Sequence, residues 1–176
     1  GAPASMTPDG QVVVGNTSFG LPWIVEMPPG PGVLIFSCGF TNPPGSLVHL
    51  SGAPALGSTF TLGVDDPTGS MAASLGLVSY STGPAPNYPC GNPLPGYGMF
   101  GANGDLLISI SAGNPFMQVI SPVLWTTPGQ PVPVDFFVPN STNLLGLQMY
   151  AQGVLFSPST SQIGLAQGAR IAFGEN

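Results

Sequence analysis

The chain has 176 residues with no Lys, a single cation at Arg170 and seven carboxylates, for a formal net charge of -6. Binding to nucleic acid needs several cations to neutralise phosphates, so that partner class is set aside, and adhesion to anionic membrane surfaces falls with it. Gly (26) and Pro (22) exceed a quarter of the chain, yet 43% of residues are hydrophobic and stand in short runs between the turn formers, which reads as many short strands rather than helix or disorder.

Residues 1–20 read as an N-terminal extension and residues 21–176 as one β-sandwich domain. The extension carries a β-branched strand at Val12-Val13-Val14, isolated by Gly10, Gly15 and Gly20. It is expected to pair with the sheet of a neighbouring subunit rather than its own. The opening GAPAS looks like the run just after a signal cleavage. Pro22 then interrupts Trp23-Ile24-Val25 and argues for an edge position. Residues 33–40, VLIFSCGF, are apolar on both sides and are predicted to form a central strand.

Residues 47–50 follow, with His49 among them. Residues 58–64 alternate, placing Phe60, Leu62 and Val64 inward, and Asp65-Asp66-Pro67-Thr68-Gly69 closes that strand with turn formers. In 70–82 the same reading puts Leu75 and Leu77 inside and Ser74, Gly76, Val78 and Tyr80 outside. Residues 83–98 hold five prolines, which forbid a paired central strand, and are predicted to be an exposed loop offering Tyr88 and Tyr97 for contact. Asn103-Gly104 reads as a hairpin turn between 99–102 and 105–111, with Leu106, Ile108 and Ile110 facing in.

Residues 117–126 continue the β pattern around Pro122, and 131–138 set Val132, Val134, Phe136 and Val138 on one face. The clearest strand is 144–156, LLGLQMYAQGVLF. Leu145, Leu147, Met149, Ala151 and Leu155 fall on one side, and Gly146, Gln148, Tyr150 and Gln152 on the other. Beyond Gly153 both sides become apolar through Val154 and Phe156, so the end of this strand should be covered on both faces by the rest of the fold or by another subunit. With a last strand at 163–173 the count reaches about ten to twelve short strands. The predicted fold is all-β, a two-layer antiparallel sandwich of jelly-roll-like form.

Candidate chemistry is sparse. Cys38 and Cys90 fit one disulfide in an exported protein better than a metal site, which would need more ligands than two Cys and His49; two buried free thiols are the other reading. No apolar run approaches the ~20 residues of a membrane helix. A Ser-His-acid triad would have to use His49, and no GxSxG accompanies any serine. A lone His on a strand is more often structural. Asp9, Glu26, Asp65, Asp66, Asp105 and Asp135 keep glycoside hydrolysis open, although most read as turn residues. Asp65 and Asp66 with Asn103 or Asp105 offer oxygens to calcium, without DxDxDG spacing. Asn16-Thr17-Ser18 and Asn140-Ser141-Thr142 match the short glycosylation sequon. Trp23, Trp125, Tyr80, Tyr88 and Tyr97 are candidates for stacking on sugar rings or for the core.

Leu145, Gly146, Leu147, Tyr150 and Gln152, followed by Leu165, Gly168, Arg170 and Gly174, resemble the end of a recurrent module of secreted and surface-attached bacterial proteins, written LxGLxxYxQ and then LSNGxRxxxG. Gln167 and Ala166 depart from its Asn and Ser. The resemblance covers about a quarter of the chain and implies export and a β-sandwich, with no activity attached. The expected protein is therefore a secreted, non-enzymatic structural subunit that forms a homo-oligomer or homopolymer, such as a filament, sheath or surface layer. Val12, Val13 and Val14 are its predicted self-association strand, with Val154 and Phe156 as the receiving groove. No cofactor, metal, nucleic acid or membrane insertion is expected, and a carbohydrate-binding module is the alternative.

Overall fold

Alternation of apolar and polar residues accounts for most strands in the computed structural model, which describes residues 3–6, 12–16, 22–26, 30–38, 41–71, 73–99, 103–111, 113 and 115–175. The chain divides into two units, Gly1–Gly30 and Pro31–Asn176. In the first, β1 (Pro3–Met6), β2 (Val12–Asn16) and β3 (Pro22–Glu26) form an antiparallel meander in that order. Pro22 is the first residue of an end strand, a position where proline is tolerated in a sheet. The unit thus takes in the run at Pro22–Glu26, beyond the boundary read at Gly20.

Among the described residues the second unit holds ten strands, β4 (Gly32–Phe36), β5 (Leu47–Ser51), β6 (Thr59–Val64), β7 (Ser74–Ser81), β8 (Asn92–Pro95), β9 (Asn103–Leu106), β10 (Phe116–Trp125), β11 (Val132–Phe137), β12 (Gln148–Ser157) and β13 (Gln162–Ala172). They build an antiparallel β-sandwich. One sheet runs β10-β7-β12-β13-β4, the other β11-β6-β5, and β8 and β9 pair as a separate ribbon. The core lies between the two sheets. Phe60, Leu62, Val64, Val132 and Val134 come from one side, and Val78, Tyr80, Ala151, Leu155, Ala169 and Ile171 from the other. Gly76 lets the layers close, since a Cβ there would stand 2.2 Å from Val132 Cγ2.

Several expectations meet a different arrangement. β4 is an edge strand, not a central one. Its two-sided apolarity arises because Val33 and Ile35 pack on the core while Phe36 is covered on the other face by Tyr88. The faces of β7 are the reverse of those read from its leucines: Ser74, Val78 and Tyr80 are buried in the sandwich, and Leu75 and Leu77 are half-buried on the opposite face. A strand in the middle of a sheet covered on both sides carries no polar stripe to mark its outer face. Asn103 and Gly104 are not a turn; they lie within β9, paired with Pro95 and Leu94. Glycine serves close approach there, because a Cβ on Gly104 would stand 2.4 Å from the Tyr97 carbonyl oxygen. Finally, β12 starts at Gln148. A 3₁₀ turn at Thr142–Leu144 and a left-handed Gly146 precede it, leaving Leu145 and Leu147 exposed rather than inward.

Candidate functional site

The outer face of the five-stranded sheet is roofed by the β8–β9 ribbon, and two buried amides hold that roof down. Between Gln152 and Val154 the β12–β13 ladder shifts register, so Ala166 and Gln167 together oppose Gly153. Such a bulge leaves backbone groups without ladder partners. The Ala166 carbonyl accepts from Asn42 Nδ2 at 2.7 Å and from Gln152 Nε2 at 3.1 Å. The same two amides donate to the Asp105 carbonyl, at 2.8 and 2.7 Å. In return Asn42 Oδ1 accepts the Asp105 N–H and Gln152 Oε1 accepts the Leu107 N–H. Asn42 and Gln152 are each only 1% exposed, so these bonds are made away from competing water. Gln167 adds a third tie, accepting the Gly45 N–H at 2.7 Å.

At the β4 end of this face the segment around residue 90 is stapled by the Cys38–Cys90 disulfide, with Cα atoms 4.7 Å apart. The pairing expected of these cysteines is therefore present. Beside it Phe36, Tyr88 and Tyr150 form an edge-to-face cluster, with centroids 4.9 to 6.5 Å apart and interplanar angles of 64 to 80°. Burial and the neighbouring Tyr88 push the Tyr150 phenol upward, against the opposing pull of Arg170. Rings turned on one another in this way present no coplanar row to a sugar. Of the other aromatic candidates, Trp125 and Tyr80 are buried, Trp23 lies where side chains are not described, and Tyr97 stands exposed.

Three of the candidate carboxylates, Asp65, Asp66 and Asp135, are occupied by the chain itself, and Asp105 is fixed through its backbone N–H and carbonyl. Asp65 accepts from Trp125 Nε1 at 2.7 Å and from the Gly129 N–H at 2.9 Å, fastening the end of β10 to the turn after β6. Asp66 accepts from the N–H groups of Thr68 and Met71 and from the Ser70 hydroxyl. Burial raises its pKa, but these hydrogen bonds with that of the Thr68 hydroxyl outweigh it and hold the carboxyl below its ordinary value. Asp135 takes a bond from Thr61, and the His49 Nε2 lies 2.6 Å from the Gly52 carbonyl oxygen. Asp9 and the side chain of Glu26 lie outside the described residues. Among the described residues no three His, Cys, Asp or Glu side chains gather into a cation site.

The sequence-predicted association elements are placed as follows. Within their own meander Val13 and Val14 pair on both edges, with Met6 and Ser5 of β1 on one side and with Val25 and Ile24 on the other, and Val12 pairs with Glu26. Val154 and Phe156 sit in the middle strand of the large sheet, Val154 between Leu77 and Leu165 and Phe156 between Leu75 and Ile163. Among the described residues β12 has a ladder partner on each side, so β2 has no free ladder on β12 to which it could add. The two-sided cover of β12 comes from within the chain.

The sandwich ends instead on β10, β4, β11 and β5, and β10 is the edge with the most exposed apolar side chains. β10 ends the five-stranded sheet, and among the described residues its one ladder partner is β7. Its ten residues, FMQVISPVLW, carry no charge. Phe116, Met117, Ile120, Val123 and Leu124 are 45 to 60% exposed. Natural sheets usually protect such an edge with Lys, and this chain has none. Pro122, at the register shift between Ile120 and Leu124, leaves Phe116–Ile120 as the regular stretch. The local pattern in 117–126 announces a strand but carries no sign of its place at the sheet edge. Comparison of the chain with protein-family models, curated proteins and solved structures finds no match.

Proposed function

We propose that this chain is an exported structural subunit that associates with further copies of itself, the Phe116–Ile120 edge of β10 being the surface that pairs. The observation that carries the reading is that edge, which among the described residues has no second ladder partner and which combines exposed apolar side chains with no charge. The Cys38–Cys90 disulfide is compatible with an oxidising compartment outside the cell. With one cation in the chain, salt bridges have little to offer such a contact. It rests on backbone hydrogen bonds and apolar area.

Magnitudes say what form the assembly takes. Covering the remaining exposed halves of Phe116, Met117 and Ile120 contributes roughly 1 kcal/mol each, and a few ladder bonds add about 1 kcal/mol apiece. A gross gain near ~6 kcal/mol barely meets an association cost of about 4–15 kcal/mol. A lone pair is therefore weak, and growth depends on each subunit making more than one contact. Sedimentation velocity over a concentration series, with electron microscopy of the same samples, tests this. Wild-type protein is expected to remain small at low concentration and to grow above a threshold, while Ile120→Lys stays monomeric and folded. A wild type that is monomeric throughout, or an Ile120→Lys variant that assembles as the wild type does, contradicts the proposal. Assembly lost only when residues 1–30 are removed would move the contact back to the N-terminal meander.

A further inference from the structure

Arg170 is the chain's single cation. Its neighbours Ala169 and Ile171 point into the core, so Arg170 stands on the outer face of the five-stranded sheet. There the ladder sets it directly between Tyr150 of β12 and Leu34 of β4. Tyr88 completes the group, its ring 5.7 Å from that of Tyr150 and 4.9 Å from that of Phe36, and the Cys38–Cys90 disulfide ties its segment down. Arg170 and Tyr150 are half-buried, while Tyr88 and Leu34 are exposed. Among the described residues no carboxylate forms an ion pair with the guanidinium, whose charge acts instead on the Tyr150 phenol. The one buried side-chain nitrogen or oxygen without a partner among those residues is the Tyr80 hydroxyl, so the guanidinium and the phenols of Tyr88 and Tyr150 reach solvent.

This is a cluster of donors. A guanidinium offers a planar fork of N–H groups and accepts nothing, and a phenol kept neutral donates its O–H. The ligand they call for is an anion with a planar pair of oxygens, which the fork meets bidentately. One positive charge balances one negative charge, so a doubly charged phosphate or sulfate would leave an excess on a chain already at -6. The flank supplied by Leu34 and the Tyr88 ring is apolar and suits a hydrocarbon body, with an aromatic ring meeting Tyr88 edge to face. A sugar acid would set hydroxyls against Leu34 without partners. We propose that Arg170, Tyr88 and Tyr150 bind the carboxylate of a small aromatic acid whose ring lies along Leu34. The site is independent of the assembly reading, because β12 and β7 stand between β13 and the β10 edge.

A chain with one arginine gives one guanidinium Nε–H signal in a nitrogen-labelled sample. That signal is followed in the full-length protein as sodium benzoate, benzyl alcohol, sodium glucuronate or sodium sulfate is added at matched ionic strength. Benzoate is expected to shift it saturably, with a dissociation constant in the millimolar range. Benzyl alcohol should leave it in place, and glucuronate and sulfate should bind at least about threefold more weakly than benzoate. A second sample labelled on the tyrosine rings reports Tyr88 and Tyr150, with the exposed Tyr97 as reference. Arg170→Gln should abolish the benzoate shifts of those rings, and Tyr88→Phe, read at the arginine signal, should weaken benzoate about threefold to tenfold, the range of one hydrogen bond. Should either variant fail to fold, the wild-type arginine signal with the four probes decides the matter. The proposal is overturned if benzoate moves that signal without saturation or not at all, if any other probe binds as tightly as benzoate, or if Arg170→Gln or Tyr88→Phe binds benzoate as the wild type does.

Discussion

Asn42 and Gln152 show how a single side chain can stand in for missing ladder. The bulge between Gln152 and Val154 frees the Ala166 carbonyl, and two primary amides with fixed donors meet it and the Asp105 carbonyl together. Replacing Gln152 by Leu keeps the volume but leaves the buried Leu107 N–H without its acceptor and removes one donor from each carbonyl. We predict a loss of roughly 2–4 kcal/mol in denaturant unfolding at unchanged m-value; an unchanged midpoint would show that the amide holds nothing. Alternation places Gln152 on the face opposite Ala151, as observed. Its partners lie 45, 47 and 14 residues away, and no local pattern encodes them. The glycines and the glutamine of this stretch have distinct structural roles. Gly146 takes a left-handed turn, Gln152 caps the bulge, and Gly168 and Gly174 admit Phe36 and Pro31 where a Cβ would stand 2.7 and 2.4 Å from them.

At the scale of elements, the strands that read correctly are those with one wet face. β6 buries Phe60, Leu62 and Val64 against a half-exposed Thr61, and β11 buries Val132 and Val134 against Pro133 and Asp135, as alternation requires. β7 misleads because both of its faces are covered, and β4 because its outer face carries Leu34 and Phe36, so hydrophobicity carries no sign of which face is inner. Asn103-Gly104 misleads for another reason: the pair suits a tight turn, but here the missing Cβ serves the approach of the Tyr97 carbonyl. Gly104→Ala therefore tests the corrected reading. In a hairpin turn the cost would come from a positive φ, whereas in β9 it comes from backbone contact, and Ala should cost about 1–3 kcal/mol and loosen the β8–β9 ribbon. Faster proteolysis between residues 91 and 107 in this variant would report that loosening. Cleavage rates equal to wild type would show that the ribbon absorbs the methyl group without moving.

For the whole molecule, the distribution of charge decides how copies meet. A chain with seven carboxylates and one cation gives neighbours mild mutual repulsion that physiological salt screens beyond about 8 Å. It supplies no complementary pairs to fix a register. Backbone hydrogen bonding supplies direction without charge, and among the described residues β10 is the longest end strand that leaves one side of its ladder unused. The lack of Lys is plain from composition alone. Which strand stands unprotected depends on the order β10-β7-β12-β13-β4, a product of long-range pairing that local alternation does not contain. Hydrogen exchange of the assembled protein against the dispersed protein is the most direct test of the central claim. Alternate amides of Phe116–Ile120, those directed away from β7, are predicted to slow on assembly while the amides of β12 keep their rates. Assemblies in which the Phe116–Ile120 amides exchange as fast as in dispersed protein, with protection gained at another strand, would contradict the account.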